Sequence, residues 1–225
     1  MNIKRCCPDD KENPIKLLEL AKSPKEIYYM GDISILENNL IAAIGRRETE
    51  IQFLRMAEAI GTELAKQNYV VLNGLAIGCD SKAIEGALSQ TGKVVAVMPG
   101  GLDEIYPKSN LELAKRIVEN GGCVISEYPC GTKPQKYTFL ERDRIQAALA
   151  DKVIVIDSEV KSGTMYTVQC ALKLNKDVGC MIEIEGCTPA GNQYLCDLKK
   201  SVALKNIQDV LDFINKPMAH QISLF

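Results

Sequence analysis

From residue 40 onward, short unbroken apolar runs alternate with longer stretches in which apolar residues return every three or four positions. The runs at 40–45, 69–73, 93–98, 122–126, 152–157 and 177–182 are rich in Val, Ile and Ala, the composition of strands buried on both faces. The stretches at about 50–67, 78–90, 108–120, 139–150 and 163–174 have helical spacing. A last helix at about 207–214 puts Val210, Leu211 and Ile214 on one face and stops at Lys216-Pro217. Strands buried on both sides need helices over both faces, so the pattern predicts an α/β, Rossmann-like three-layer domain with a mostly parallel sheet. Residues 1–23 are a charged lead-in with one amphipathic stretch around Ile15, Leu17, Leu18 and Leu20. The domain runs over 24–214, and 215–225 is a tail.

The ends of the apolar runs carry the candidate chemistry. Val70, Val71 and Leu72 lead into Asn73-Gly74, with Gly78 opening a helix, and Val94–Val97 lead into Pro99-Gly100-Gly101. In a parallel sheet these turns share one rim, where glycines admit close approach and helix N-termini present free N–H groups to anions. The first turn, Ile44-Gly45-Arg46-Arg47, adds two guanidiniums suited to phosphate oxygens, unless one of them pairs with Glu48 or Glu50. It is not a GxGxxG fingerprint, which argues against a dinucleotide cofactor.

Two further segments extend the rim. Lys133, Lys136, Tyr137, Phe139, Arg142 and Arg144 interleave cations with aromatics. Such a run can track a nucleic-acid backbone while a ring stacks on an unpaired base, at roughly 1–3 kcal/mol per base. It can equally be a solvated helix face paired with Glu141 and Asp143, with Phe139 in the core. Ser162, Gly163 and Thr164 start another helix and can donate to an anion, although N-capping explains Ser162 as well.

Composition narrows the function classes. The chain has 225 residues, 46% of them hydrophobic, enough for one full core, and its longest apolar runs are strand-sized, which excludes a helical membrane span. No secretory signal pattern opens the chain, and nine scattered cysteines without metal-type spacing fit reduced thiols in a cytoplasm. The one histidine, His220, lies in the tail, and no nucleophile stands beside a base. Asp80, Asp103, Glu127 and Asp157 sit near turns, where carboxylates cap helices or pair with Arg. The expectation is no catalytic residue, no metal and no cofactor. A net charge of −2 provides no global basic field, so anion binding rests on a local patch and weakens with salt.

Several segments in order, Gly74-Leu75-Ala76-Ile77-Gly78-Cys79-Asp80, Gly101-Leu102-Asp103-Glu104-Ile105-Tyr106-Pro107, Ile125-Ser126-Glu127-Tyr128-Pro129 and Phe139-Leu140-Glu141-Arg142-Asp143-Arg144-Ile145, resemble the successive motifs of the DNA-processing protein A (DprA/Smf) family. The likeness extends from Pro24-Lys25-Glu26-Ile27-Tyr28-Tyr29-Met30-Gly31-Asp32 to the segment from Gly191-Asn192 through Asp209, about residues 24–214. It implies a non-catalytic, dimeric domain that binds single-stranded DNA and, in transformable bacteria, helps load the recombinase RecA. The implied contacts are Gly45 and Arg47, Gly74 and Gly78, Gly100 and Gly101, then Lys136, Phe139, Arg142 and Arg144, then Ser162, Gly163 and Thr164, with Phe139 stacking on a base.

The chain departs from the family pattern in places. Arg46 stands where a small residue is usual, Ile84 where His is, Leu140 for Pro and Asp143 for Asn. Asp143 places a carboxylate near the phosphate path, which weakens it unless Arg142 or Arg144 pairs with it. The appended helical and winged-helix domains of many members are not expected here, so the chain reads as a minimal form. A phosphoribohydrolase of the same superfold would carry GxGT and a catalytic Glu close behind its PGG turn. Here Ser162-Gly163-Thr164 lies far downstream of Pro99-Gly100-Gly101, with no acid from Met165 to Gln169. A sensor of small nucleotides in the same crevice stays open. The tail Gln221-Ile222-Ser223-Leu224-Phe225 resembles the peptide by which bacterial proteins dock on the DNA polymerase sliding clamp through Gln221, Leu224 and Phe225; alternatively it folds back on the domain.

Overall fold

The computed structural model describes residues 2–7, 10 and 14–217. The tail residues Gln221, Leu224 and Phe225 lie outside the described residues. The strands are β1 (Lys4–Cys6), β2 (Ile27–Gly31), β3 (Leu40–Gly45), β4 (Val70–Asn73), β5 (Val94–Val97), β6 (Cys123–Ser126), β7 (Lys152–Asp157), β8 (Asp177–Met181) and β9 (Val202–Leu204). The helices are α1 (Ile51–Lys66), α2 (Cys79–Ser89), α3 (Leu111–Glu119), α4 (Lys136–Leu149), α5 (Gly163–Lys173), α6 (Ala190–Asp197) and α7 (Ile207–Asn215).

The strands form one sheet in the order β1-β2-β6-β5-β4-β3-β7-β8-β9, parallel from β6 to β9 and antiparallel where β2 meets β6 and β1 meets β2. Period-two alternation splits each central strand between two cores. Ile41, Ala43, Val71, Ile154 and Ile156 pack with Phe53, Ile60 and Leu64 of α1, Ala83 of α2, Ile117 of α3 and Phe213 of α7. Leu40, Ala42, Ile44, Val70, Leu72, Val153 and Val155 pack on the other side with Ile145 and Leu149 of α4, Val168 of α5 and Leu195 of α6. This is the expected three-layer arrangement.

The edges differ from the sequence pattern. Both outermost strands have three residues, too few to register as apolar runs, and Lys4 and Arg5 in β1 are exposed. The amphipathic stretch in the lead-in is a 3-10 helix, Ile15–Glu19, that buries Leu17 in the second core and leaves Ile15 and Leu18 exposed. Helix α4 starts at Lys136 rather than 139, because the Thr138 hydroxyl accepts from the Gln135 N–H at 2.9 Å and closes the first turn. Among the described residues no helix is long and apolar enough to cross a membrane.

Helices α1 and α2 touch backbone to backbone. A Cβ at Gly61 would overlap the Ala83 carbonyl, and one at Gly86 the Glu58 carbonyl. In an open helix Gly→Ala stabilises by about 1 kcal/mol. Here the sign reverses: Gly61→Ala should lower the unfolding free energy by about 1–3 kcal/mol through overpacking. A urea midpoint at or above that of the wild type would show that the two helices separate without cost.

Candidate nucleic-acid interface

Chain order reverses across the β3–β7 pair, since β4, β5 and β6 continue on one side of β3 and β7, β8 and β9 on the other. Such a reversal leaves a crevice beyond the carboxyl ends of the two strands. Here it holds about 390 Å³, between the turn after β3, the start of α5 and one face of α4. Phe139, Arg142, Asp143 and Gln146 all line it, the i, i+3, i+4, i+7 stripe of one helix face.

The glycine turns pack mostly against the chain itself. A side chain at Gly45 would run into Cys79 at the start of α2. Gly78, at φ +81°, lies against the Arg46 and Arg47 carbonyls, so it seats the Arg turn rather than lining the crevice. Gly74 lies under the Arg142 guanidinium. Gly100 and Gly101 are covered by residues 129–134: the Gly101 N–H donates to the Thr132 carbonyl at 2.9 Å, and Ser126 Oγ to the Gly100 carbonyl at 2.7 Å. The structure does not bring these two glycines to the crevice. Gly163 differs from the others, with nothing within 4 Å of where its Cβ would stand.

The cations divide in the same way. Arg46 Nη2 lies 3.0 Å from Glu159 and its Nε 3.8 Å from Asp157, so this arginine is paired, though with neither Glu48 nor Glu50. Arg142 is buried, with Nε on Asp143 at 2.8 Å and Nη1 on the Val97 carbonyl at 2.9 Å. Asp143 thus has the partner that its place on the phosphate path requires. Arg144 points out of phase with the crevice and binds Glu127, Glu141 and the Lys22 carbonyl. Lys136 is exposed in the first turn of α4, outside the crevice lining. Arg47 is exposed and, among the described residues, in no ion pair; its guanidinium lies 5.2 Å over the Phe139 ring.

Phe139 is half-buried, not a core residue, and its ring also meets Tyr106 edge-on at 5.6 Å. Ser162 caps α5, its hydroxyl accepting from the Met165 N–H at 3.2 Å. Gly163 and Thr164, first in that helix, present N–H groups without intrahelical partners into the crevice.

Buried carboxyls lie beneath and beside the crevice. Burial pushes the Asp80 carboxyl up to about 6, against Arg142 and the N–H groups of Gly74 and Ala76 at 3.0 and 3.3 Å. Burial likewise raises Asp143, against Arg142, and Asp157, against the Thr49 hydroxyl and Arg46. These carboxylates organise turns. The chemistry available to a ligand is N–H and hydroxyl donors, one unpaired guanidinium and an aromatic ring. Among the described residues no group of His, Cys, Asp and Glu is placed to hold a metal ion.

The sequence reading assigned no role to Tyr106, although it stands in a quoted motif. It also passed over Asn192, which is buried and donates to the carbonyls of Val155 at 3.1 Å and Met181 at 2.8 Å while its Oδ1 accepts from Ser158 Oγ at 2.7 Å. That network fixes the loop after β7. Its signal in the sequence is its place at the start of the quoted segment that begins Gly191-Asn192.

The family model described as DNA recombination-mediator protein A matches residues 4–215. The Smf protein of Synechocystis sp. is 34% identical over 76% of this chain and 44% of its own length. The DNA processing protein DprA of Streptococcus pneumoniae is 34% identical over 73% of this chain and 58% of its own. The chain spans about half the length of these curated relatives. Among solved structures, DNA processing protein A of Helicobacter pylori, described for its single-stranded DNA binding mode, superposes with a TM-score of 0.83 at 30% identity over 94% of each chain. The molybdenum cofactor carrier protein of Chlamydomonas reinhardtii, at 19% identity and a TM-score of 0.56 over 79% of this chain and 96% of that one, shares the fold. With the family's match running from the first strand to the last helix, the chain belongs to the DNA recombination-mediator protein A family.

Proposed function

We propose that this protein binds single-stranded DNA in the crevice at the ends of β3 and β7, without catalysing a reaction. The observation that carries this reading is the placement of Arg47, unpaired and stacked on Phe139, across from the open start of α5 at Gly163 and Thr164. A guanidinium facing free N–H groups suits a phosphodiester. An aromatic ring beside them suits a base, and only an unpaired base has a free face to offer. The path is narrower than the set of residues expected from the sequence. Arg47, Phe139, Gly45 and Ser162–Thr164 form its centre, Lys136 extends it, and Arg142 and Arg144 support α4 instead. Family membership supports a place in recombination or natural transformation, with RecA as a partner and a homodimer as the working form. Docking of Gln221, Leu224 and Phe225 on the sliding clamp would tether the protein to replicating or repaired DNA.

Arg47→Glu should weaken binding of all single-stranded sequences at least about tenfold and reduce the salt slope by about one or more. Anisotropy titrations at several salt concentrations check this, and unchanged curves would rule out the crevice. Phe139→Ala should cost about 1–3 kcal/mol of binding with an unchanged melting temperature. Lost stability with unimpaired binding by the folded fraction would instead make the ring structural.

A polyanion in the crevice disfavours the charged forms of Asp143 and Asp157, already raised by burial, and of Asp80 at about 6. Binding should therefore take up protons, and affinity should rise as pH falls from about 8 toward 6. In the free protein these raised groups have the same sign: the stability they contribute is present below the ordinary carboxylate range and is lost as pH rises through their folded values, about 6 for Asp80. Calorimetric heats in two buffers of different ionisation enthalpy should differ by the proton uptake, and Asp80→Asn, whose side-chain oxygen can still accept from the Gly74 and Ala76 N–H groups, should reduce that difference. Identical heats would show that the carboxyls do not sense the ligand.

A further inference from the structure

The crevice carries anions of its own. Among the described residues, the guanidiniums of Arg46, Arg47 and Arg142 line it together with four carboxyls. Asp143 is paired with Arg142, Asp80 is bonded to the Gly74 and Ala76 N–H groups, and Glu48 is exposed. The fourth, Glu159, stands 3.0 Å from Arg46 Nη2. We infer that Glu159 is a specificity-determining residue: it holds Arg46 so that the crevice accepts the single charge of a phosphodiester inside a strand and rejects the higher charge of a phosphomonoester, such as that of a free nucleotide. The inference rests on the single-strand reading above and names the kind of phosphate that the site selects.

Backbone contacts place the pair at both ends. The Arg46 carbonyl accepts from the Cys79 N–H at 3.1 Å and lies against Gly78. The Glu159 carbonyl accepts from the Ser162 hydroxyl at 2.9 Å, and Gly191 packs against the Glu159 backbone. The two side chains therefore meet between the turns after β3 and β7, in the same crevice that Gly163 and Thr164 line. Both are partly exposed, 39% for Arg46 and 59% for Glu159, so the pair adds little to stability. Its consequence is electrostatic, because the carboxylate cancels a positive charge within reach of the ligand.

Charge then decides between ligands. A phosphodiester carries one negative charge, whereas a phosphomonoester carries about 1.5 to 2 at neutral pH. With Arg46 held by Glu159 and Arg142 by Asp143, Arg47 and the N–H groups at the start of α5 are left to meet the phosphate. One guanidinium balances a diester. The extra charge of a monoester finds no partner and is repelled by Glu159. Nor can it be shared sideways: the neighbouring cavity of about 380 Å³ is lined by Glu48, Glu50 and Asp157, and among the described residues Arg46 is the one cation in that lining. The crevice thus separates the interior of a strand from mononucleotides that offer the same base and sugar.

The experiment uses the full chain and a labelled oligothymidylate, displaced by thymidine 5′-monophosphate or by its methyl phosphodiester, which differ in charge and share base and sugar. For the wild type the diester should compete at least as well as the monophosphate. Glu159→Gln should improve the monophosphate at least about threefold relative to the diester. It should also steepen the salt slope of oligothymidylate binding by about 0.7, the value for one more phosphate neutralised on a single strand. Adding Arg46→Gln to Glu159→Gln should abolish both gains, since no cation is left to release. Arg46→Gln alone bares the carboxylate and should weaken the oligothymidylate about threefold at low salt, an effect that decides the matter if Glu159→Gln does not fold. A wild type that prefers the monophosphate, or a monophosphate that gains nothing in Glu159→Gln, would overturn the role of Glu159 and leave the single-strand reading standing. No binding of the oligothymidylate by the wild type would overturn both.

Discussion

The site depends on one buried cation. The Arg142 guanidinium lies over Gly74 at the end of β4, donates to the Val97 carbonyl at the end of β5 and pairs with Asp143 beside it on α4. It therefore clamps a helix to two strand ends and sets the height of α4 above the sheet. Phe139 stands one helical turn earlier on the same face, so its position at the rim follows from that clamp. Burying a charge is costly unless it is paired and hydrogen-bonded, and Arg142 is both. Gly74 is needed because the guanidinium takes the space that a side chain would fill.

The same reasoning bears on how an acidic protein would hold the proposed polyanion. With a net charge of −2, long-range attraction is absent. Arg46, Arg142 and Arg144 are each committed to carboxylates, so they stabilise the fold's own turns and helices. Arg47 escapes because its guanidinium rests on an aromatic ring instead of an acid. Such a contact holds the side chain in place without neutralising it, which leaves a full charge at the crevice mouth.

The central parallel strands and the helices over them, apart from α6, were legible in the sequence because those strands are unbroken apolar runs buried on both faces. The edges were not, since three-residue strands such as β1 and β9 are defined by their partners' hydrogen bonds. The helical phase of the site was available in the sequence: positions 139, 142, 143 and 146 share a face that 144 does not. What sequence could not say is what each glycine makes room for. Gly45, Gly74, Gly78, Gly100 and Gly101 look alike as turn residues, yet each accommodates another part of the chain. Whether a position without a side chain serves a ligand or a neighbouring backbone depends on long-range packing, which local pattern does not encode.

Gly163 is the counterexample, and it shows how the two roles combine. The tightly packed glycines bring the turns after β3 and β4 and the start of α2 into contact, and that rigidity holds Arg47 and Phe139 on one side of the crevice. Across from them, Gly163 leaves the first N–H groups of α5 open, while Asn192 and the Ser162 cap fix the loop that carries them. A phosphate can therefore reach donors that are already oriented, at little cost in ordering the protein. Duplex DNA would offer the same phosphates, but its bases are stacked and paired, and Phe139 lies half-buried between Arg47 and Tyr106. A base must leave its stack to reach that ring, which favours strands that are already single.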